Sequence, residues 1–192
     1  MIEKLKSVLN KDIKIIKEKE KQAAVVLPLI KKGDNFSLLY EKRVDNGSLH
    51  GGQISFPGGS IEPTDISIEY AALRETEEEI GINMSEIEIL GALDATVTLR
   101  SDFAVYPFVG VLKSDNFNIN KQEVENLFDI PIDYLIKIHP FEQRPYTYKN
   151  GIYTTLIIEY NNETVWGATA RITDMLIKKI KKAMDFGGKN GV

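Results

Sequence analysis

Three glutamates near the middle of the chain are spaced so that they could bind one metal ion. Glu75, Glu78 and Glu79 stand three and one positions apart, which places them on one arc of a helix. They repel one another, and they fall in the last two turns of the predicted helix, where the macrodipole is already negative. A divalent cation would compensate for both effects, and oxygen ligands suit Mg²⁺ or Mn²⁺. The alternative is an acidic helix end that is simply solvated.

The helix that carries these glutamates is predicted over residues 67–80. Ser67 or Asp65 can cap its start, and Gly81 can adopt the left-handed conformation just past its end. Glu77 points away from the acidic arc and is expected to be a solvated charge. The face expected to pack inward consists of Leu73, Thr76 and Ile80.

The segment before this helix, residues 44–59, is predicted to be a functional loop. It holds five glycines in sixteen residues, too many for a regular element except a short strand at 53–56. Gly58 and Gly59 allow backbone groups to approach a metal or phosphate closely. The loop is neither a P-loop nor a dinucleotide-binding fingerprint, because neither glycine pattern is present.

Composition narrows the possible chemistry. The 192 residues suit a single domain, and the net charge of −4 gives no reason to expect a nucleic-acid partner. Cysteine is absent, which excludes disulfides, thiolate metal sites and cysteine nucleophiles. The two histidines, His50 and His139, lie far apart in the sequence. Any metal ligands are therefore expected to be oxygens.

The remaining segments indicate an α/β domain with a mixed sheet and helices on both faces. Residues 1–22 are interpreted as an N-terminal helical arm, 23–184 as the domain and 185–192 as a flexible tail. The longest apolar run, 23–30, has strand length, so we expect no membrane partner, no signal segment and a cytoplasmic location. Strands are predicted at 23–30, 36–42, 87–98, 104–113 and 154–160, helical turns at 122–128 and 131–138, and a terminal helix at 168–184.

Residues 74–82, RETEEEIGI, resemble the second half of the Nudix box, R-E-U-x-E-E-x-G-U, where U is a bulky aliphatic residue. All charged and glycine positions of this half are present, and Gly59 matches the leading glycine of the box. Two positions differ from the usual pattern. Thr76 replaces an aliphatic residue, and eight residues rather than seven separate Asp65 from Arg74.

A longer resemblance points to the coenzyme A pyrophosphatases within the Nudix family. Residues 38–59, LLYEKRVDNGSLHGGQISFPGG, are similar to the upstream motif of that subfamily. Later similarities are Glu123-Val124 with Phe128 and Pro131, and the segment WGATAR at 166–171, so the likeness covers most of 23–177. Ser48 stands where the subfamily usually has an arginine, and Arg43 matches an earlier arginine only with a one-residue insertion.

The resemblance implies the Nudix α/β/α sandwich and metal-dependent hydrolysis of a nucleoside diphosphate linked to another group. For coenzyme A, the products would be adenosine 3′,5′-bisphosphate and 4′-phosphopantetheine. Other substrates of the same enzyme class are ADP-ribose, a dinucleotide or a nucleoside triphosphate. A non-catalytic phosphate-binding Nudix module is a further alternative. Whether the chain is a monomer or a homodimer is left open.

The site that the resemblance implies consists of metal-binding residues, a general base and residues that contact the substrate. Glu75, Glu78, Glu79 and the carbonyl of Gly58 are expected to bind Mg²⁺ or Mn²⁺, with Arg74 orienting the glutamates. Either one of these glutamates or Glu123 would be the base, and Glu123 could instead be a plain helix-start charge. Trp166 and Phe108 are expected in the core. The candidates for substrate contact are Arg43, His50, Gln53, Gly58 and Gly59.

Overall fold

A computed structural model of the protein describes residues 1–47, 51–98, 102–149 and 151–185. In this part of the chain the strands form one eight-stranded and one three-stranded sheet. The three-stranded sheet contains β9 (Glu142–Tyr148), β10 (Gly151–Tyr160) and β11 (Glu163–Trp166). The larger sheet contains β1 (Gln22–Lys32), β2 (Asn35–Arg43), β3 (Ile54–Ser55), β4 (Gly58–Ser60), β5 (Ile87–Ala92), β6 (Thr96–Val97), β7 (Ala104–Leu112) and β8 (Val124–Pro131).

The larger sheet is mixed. Its main order is β3-β2-β1-β7-β5, and β1 runs parallel to β7 while the other pairs are antiparallel. Three strands pair beside this path, β4 with β1, β6 with β7 and β8 with β2. The predicted mixed sheet is therefore confirmed.

Helices cover both faces of the larger sheet, as predicted. They are α1 (Ile2–Lys6), α2 (Ile68–Ile80), α3 (Ile132–Ile138) and α4 (Gly167–Asp185). Because side chains alternate along a strand, β1 contributes to two cores. Ala24 and Val26 pack in the core that includes α2, and Leu27 and Leu29 pack in the core that includes α4.

The boundaries of α2 follow the local sequence. The Ser67 hydroxyl accepts a hydrogen bond from the Tyr70 amide at 3.0 Å, which caps the first turn. Gly81 ends the helix with φ of +72°, a conformation that glycine adopts without steric cost. The predicted helix is confirmed to within one residue.

The predicted helical turn at 122–128 is wrong. Val124 to Pro131 form β8, which pairs antiparallel with β2. The ring of Phe128 stacks on that of Tyr40 with centroids 5.5 Å apart. Pairing and stacking with a strand distant in sequence thus outweigh the local preference. The predicted strand at 87–98 is interrupted between β5 and β6, and β4 and β9 were not predicted.

The N-terminal arm is held on the domain. Leu5 and Leu9 are buried, and Asn10 makes a backbone bridge to Ala92. The predicted helix is confirmed but short, ending at Lys6. Most of the expected tail, 186–192, lies outside the described residues. No helix in the described ranges is both long and apolar enough to cross a membrane.

Candidate active site

The last turns of α2 lie against the glycines of β4. The Gly58 amide donates to Glu79 Oε2 at 2.7 Å. A Cβ at Gly59 would overlap the Glu75 carboxylate, and a Cβ at Gly58 would overlap the backbone of β1 at Ala24 and Val25. Glycine is therefore needed at position 58, where β4 lies against the backbone of β1, whereas a larger residue at position 59 would displace the Glu75 carboxylate.

The three glutamates of the acidic arc differ in depth. Glu79 is 2% exposed and lies on the buried side of α2 with Thr76 and Ile80. Glu75 is half-buried, whereas the Glu78 side chain is 57% exposed. The helical wheel placed all three on one arc, but only contact with β4 distinguishes the buried member from the exposed one.

Arg74 joins two of these glutamates to Asp65. Its Nε and Nη2 donate to the two carboxylate oxygens of Asp65 at 2.9 and 3.1 Å, and its Nη1 donates to Glu75 Oε1 at 3.0 Å and to Glu78 Oε2 at 3.2 Å. The hydrogen bond from Arg74 also lowers the pKa of Asp65. Arg74 has the contacts expected of a residue that orients carboxylates, and the loop residue Asp65 fixes Arg74 in turn.

A second arginine connects Glu79 to a buried carboxyl group on β2. Arg43 Nη1 donates to Glu79 Oε1 at 3.0 Å and to Glu41 Oε1 at 3.2 Å. Glu41 is fully buried and also accepts a hydrogen bond from Ser55 Oγ at 2.8 Å. Sequence reasoning missed Glu41, although a charged residue directly after the buried run 37–40 was the available signal.

Burial favours the protonated forms of this pair. It raises the pKa of Glu79 to about 9, and the charge of Glu41 adds to the rise, while the Gly58 amide and Arg43 oppose it. Burial likewise raises the pKa of Glu41, against the charge of Arg43 and the hydrogen bond from Ser55. Glu41 Oε2 is buried without a hydrogen-bond partner in the described part of the chain.

The donor set fits a hard divalent cation by its chemistry. Glu75, Glu78 and Glu79 offer only oxygen ligands, and burial also raises the pKa of Glu75. A cation would supply the positive charge that these closely spaced carboxylates need in order to stay ionised. Within the described ranges, no three acidic or histidine side chains are assembled as a ready metal site. The carboxylates are instead held in ion pairs with Arg43 and Arg74.

A cavity of about 560 Å³ opens beside these residues. One side, here called the acidic wall, is lined by Arg43, Gln53, Gly58, Gly59, Glu75, Glu79 and Glu123. The other side, here called the α4 wall, is lined by Tyr146, Tyr153, Trp166, Gly167, Ala168, Thr169, Arg171 and Ile172. The expectation that Trp166 is a core residue is wrong, because its ring lines the cavity 5.3 Å from that of Tyr146. Phe108 is buried, as expected.

The structure thus brings most of the predicted site residues to one cavity. Arg74 and Glu78 are not among its lining residues, and Arg74 connects Glu78 to the lining residue Glu75. Glu123 stands just before β8 and accepts a hydrogen bond from Asn120 Nδ2 at 3.2 Å. His50, together with Ser48, lies outside the described residues. Sequence analysis did not predict that Asp65 would pair with Arg74, that Glu41 would pair with Arg43, or that tyrosines would line the α4 wall.

The fold and this site define a hydrolase of the Nudix class. The chain belongs to the Nudix family, since the family's sequence model, described as NUDIX domain, matches residues 19–149. Relatives named "Uncharacterized Nudix hydrolase NudL" from Yersinia pestis and Yersinia pseudotuberculosis are each 34% identical over 162 residues, which cover 83% of this chain and 80% of each relative. Nudix hydrolases generally use divalent metal ions and cleave nucleoside diphosphates linked to another group.

Solved structures agree on the fold. An Ap4A hydrolase of C. elegans in a binary complex superposes with a TM-score of 0.55 at 16% identity, covering 86% of this chain and 98% of that chain. A MutT/nudix family protein of Enterococcus faecalis gives a TM-score of 0.56 at 13% identity, covering 91% of this chain and 66% of that chain. At these identities the likeness concerns the fold alone.

Proposed function

We propose that this Nudix hydrolase cleaves the diphosphate bond of coenzyme A or its derivatives, using Mg²⁺ or Mn²⁺. The products are adenosine 3′,5′-bisphosphate and 4′-phosphopantetheine. The observation that carries the proposal is the shape of the cavity, in which the carboxylates of the acidic wall face the same space as the largely apolar and aromatic α4 wall. Such a cavity suits a diphosphate with a long, weakly polar arm attached. The sequence resemblance over 38–59 and 166–171 supports the same subfamily.

The residues of the acidic wall, with Arg74 and Glu78 beside it, have complementary roles in this proposal. Glu75, Glu78 and Glu79 hold the cation, assisted by the Gly58 carbonyl, and Arg74 keeps two of these carboxylates in place. A bound divalent cation neutralises diphosphate charge and lowers the pKa of a bound water.

The base that takes the proton from the attacking water is a carboxylate of this site, one of the three glutamates or Glu123. Glu123 lines the cavity and is exposed at its edge, so a proton taken up there passes readily to solvent. Arg43 provides positive charge at the same wall, next to Gln53.

A second candidate is a Nudix pyrophosphatase acting on ADP-ribose, a dinucleotide or a nucleoside triphosphate. The tilted pair of Tyr146 and Trp166 favours it, because aromatic rings on a cavity wall also stack on nucleobases. The serine at position 48, where the coenzyme A subfamily usually has an arginine, points the same way. A non-catalytic phosphate-binding module is a weaker alternative, since no glutamate of the box is lost.

The test is a parallel assay of the purified protein with Mg²⁺ or Mn²⁺ on coenzyme A, ADP-ribose, a diadenosine polyphosphate and a nucleoside triphosphate. We expect adenosine 3′,5′-bisphosphate from coenzyme A, with a kcat/KM well above the others. Activity on another substrate alone would overturn the coenzyme A assignment and retain the hydrolase. No hydrolysis of any substrate with either metal would favour the binding module.

A further inference from the structure

Arg171 is a cation in the α4 wall that forms no ion pair with an acidic side chain in the described part of the chain. It lies in the second turn of α4 and lines the cavity. Its Nη2 donates to the Val97 carbonyl at 2.8 Å, and its Nε is buried without a hydrogen-bond partner in the described ranges. The residues outside those ranges include no Asp or Glu. The charge of Arg171 therefore has no carboxylate side chain to neutralise it, either among the described ion pairs or among the remaining residues.

This arrangement differs from that of the other described arginines. Arg43, Arg74 and Arg144 each form ion pairs with at least two carboxylates. Burial disfavours the charged form of Arg171 and lowers its pKa. Burying a charged guanidinium without a counter-charge opposes folding. A bound anion would supply the counter-charge and offset this cost.

The beginning of α4 adds a second positive feature to the same wall. Gly167, Ala168 and Thr169 line the cavity at the N-terminus of this 19-residue helix. The N-terminus of a helix carries partial positive charge, and the small side chains of Gly167 and Ala168 leave it close to the cavity. The guanidinium and the helix dipole thus favour an anion on the same side of the cavity.

We propose that Arg171 binds a phosphate group of the substrate and makes the α4 wall the anion subsite of this enzyme. Arg43 is already paired with Glu41 and Glu79, so Arg171 is the cavity-lining arginine whose charge is left for a ligand in the described structure. The planar fork of a guanidinium matches phosphate oxygens. The inference rests on the proposed function only for the identity of the ligand. In coenzyme A the phosphate is either the separate 3′-phosphate or part of the diphosphate.

Binding without turnover tests this subsite. Titration calorimetry in metal-free buffer would compare adenosine 3′,5′-bisphosphate, adenosine 5′-monophosphate and inorganic pyrophosphate on the wild type and Arg171→Gln. We expect the variant to bind adenosine 3′,5′-bisphosphate about 10- to 100-fold more weakly. A much smaller loss for adenosine 5′-monophosphate would assign the subsite to the 3′-phosphate. Equal losses for all three probes would assign it to the diphosphate.

Arg144→Gln is the matched control, because Arg144 lies on β9 away from the cavity lining and its removal deletes the same charge. Its affinity for every probe should equal that of the wild type. Unchanged affinity in a folded Arg171→Gln protein would overturn the proposal.

A purely structural role for Arg171, holding the Val97 carbonyl, gives a different signature. It would lower the melting temperature equally with and without adenosine 3′,5′-bisphosphate, and that result would also overturn the proposal. A binding role reduces the ligand-induced rise in melting temperature itself. Should Arg171→Gln not fold, Arg171→Lys retains a charge without the fork and should show an intermediate ligand-induced rise.

The two proposals fail separately. If the wild type does not hydrolyse coenzyme A but Arg171→Gln still loses affinity for a phosphate probe, the substrate assignment fails and the subsite stands. If coenzyme A is hydrolysed and Arg171→Gln has the KM of the wild type, the subsite fails and the proposed function stands.

Discussion

The two walls of the cavity differ in how their charged side chains are paired. Among the residues of the acidic wall and those paired with them, the carboxylates outnumber the arginines. Arg43 is shared between Glu41 and Glu79, and Arg74 is shared among Glu75, Glu78 and Asp65. On the α4 wall the single charged side chain, Arg171, lacks a carboxylate partner in the described structure, and the other lining residues are aromatic, small or aliphatic. The first arrangement suits chemistry on a metal-bound diphosphate, and the second suits recognition of the remainder of the substrate.

Removal of a carboxylate from the acidic arc of α2 should have the largest effect. Glu78→Gln is expected to lower kcat by at least about 100-fold, because a proposed cation ligand is lost, while the fold stays intact since this side chain is exposed. Steady-state kinetics and circular dichroism measure the two properties. Glu77→Gln on the same helix is the control and should retain activity. Normal turnover in Glu78→Gln would contradict the metal-binding role.

Loss of the support for that arc should have an intermediate effect. Asp65→Asn removes the carboxylate that holds the Nε and Nη2 groups of Arg74, so Glu75 and Glu78 lose a fixed partner. We expect a decrease of about 10- to 100-fold in kcat/KM, partly recovered at higher metal concentration. Titration of activity with Mn²⁺ would show this. An unchanged metal dependence would mean that Asp65 stabilises only the loop.

A change on the α4 wall should alter KM rather than kcat. Trp166→Leu removes an aromatic surface of the cavity while leaving the glutamates untouched, and we expect KM to rise about 10-fold. Initial rates over a range of substrate concentrations separate the two constants. Phe117→Leu, a partly buried aromatic change away from the cavity lining, is the control. A fall in kcat alone would contradict the division between the walls.

The smallest expected effect is on stability. Because burial raises the pKa of Glu79 to about 9 from an ordinary value of 4.5, the folded protein keeps a proton that the unfolded chain loses. The free energy of unfolding should therefore fall as pH rises from about 5 to 9. Glu79→Gln removes the contribution of Glu79 to this dependence and leaves that of Glu41, so its melting temperature should exceed that of the wild type by a few degrees at pH 8.5. The groups facing Glu79 are Glu41, Arg43 and the Gly58 amide.

Thermal unfolding in metal-free buffer at pH 6 and 8.5 measures this difference, with Glu77→Gln as the control. Parallel pH profiles for the wild type and Glu79→Gln would show that Glu79 is ionised in the folded protein.

Local chemistry explains what the sequence could predict. The Ser67 cap and the Gly81 end depend on residues a few positions apart. The spacing of the glutamates likewise predicted their common location. Phe128 lies in a strand because β8 pairs with β2, where its ring stacks on Tyr40. This partner is distant in sequence, so the local pattern wrongly predicted a helical turn.

The burial and the ion pairing of the charged residues could not be predicted from the sequence, because they also depend on contacts between residues distant in the chain. The wheel gives the direction of Glu79 from the helix axis, but its burial depends on β4, which pairs with β1. Glu41 becomes part of the site only through Arg43 and Ser55. The lack of an ion pair at Arg171 is a property of the whole fold, and no local pattern indicates it.

The three-stranded sheet of β9, β10 and β11 pairs with no strand of the larger sheet in the described part of the chain. It nevertheless contributes Tyr146, Tyr153 and Trp166 to the cavity. Its β9–β10 hairpin can therefore change length or sequence without shifting the register of β1 and β4, which position the glutamates. This separation makes the architecture modular, because the hairpin that lines the cavity can be exchanged while the strands that position the glutamates keep their pairing.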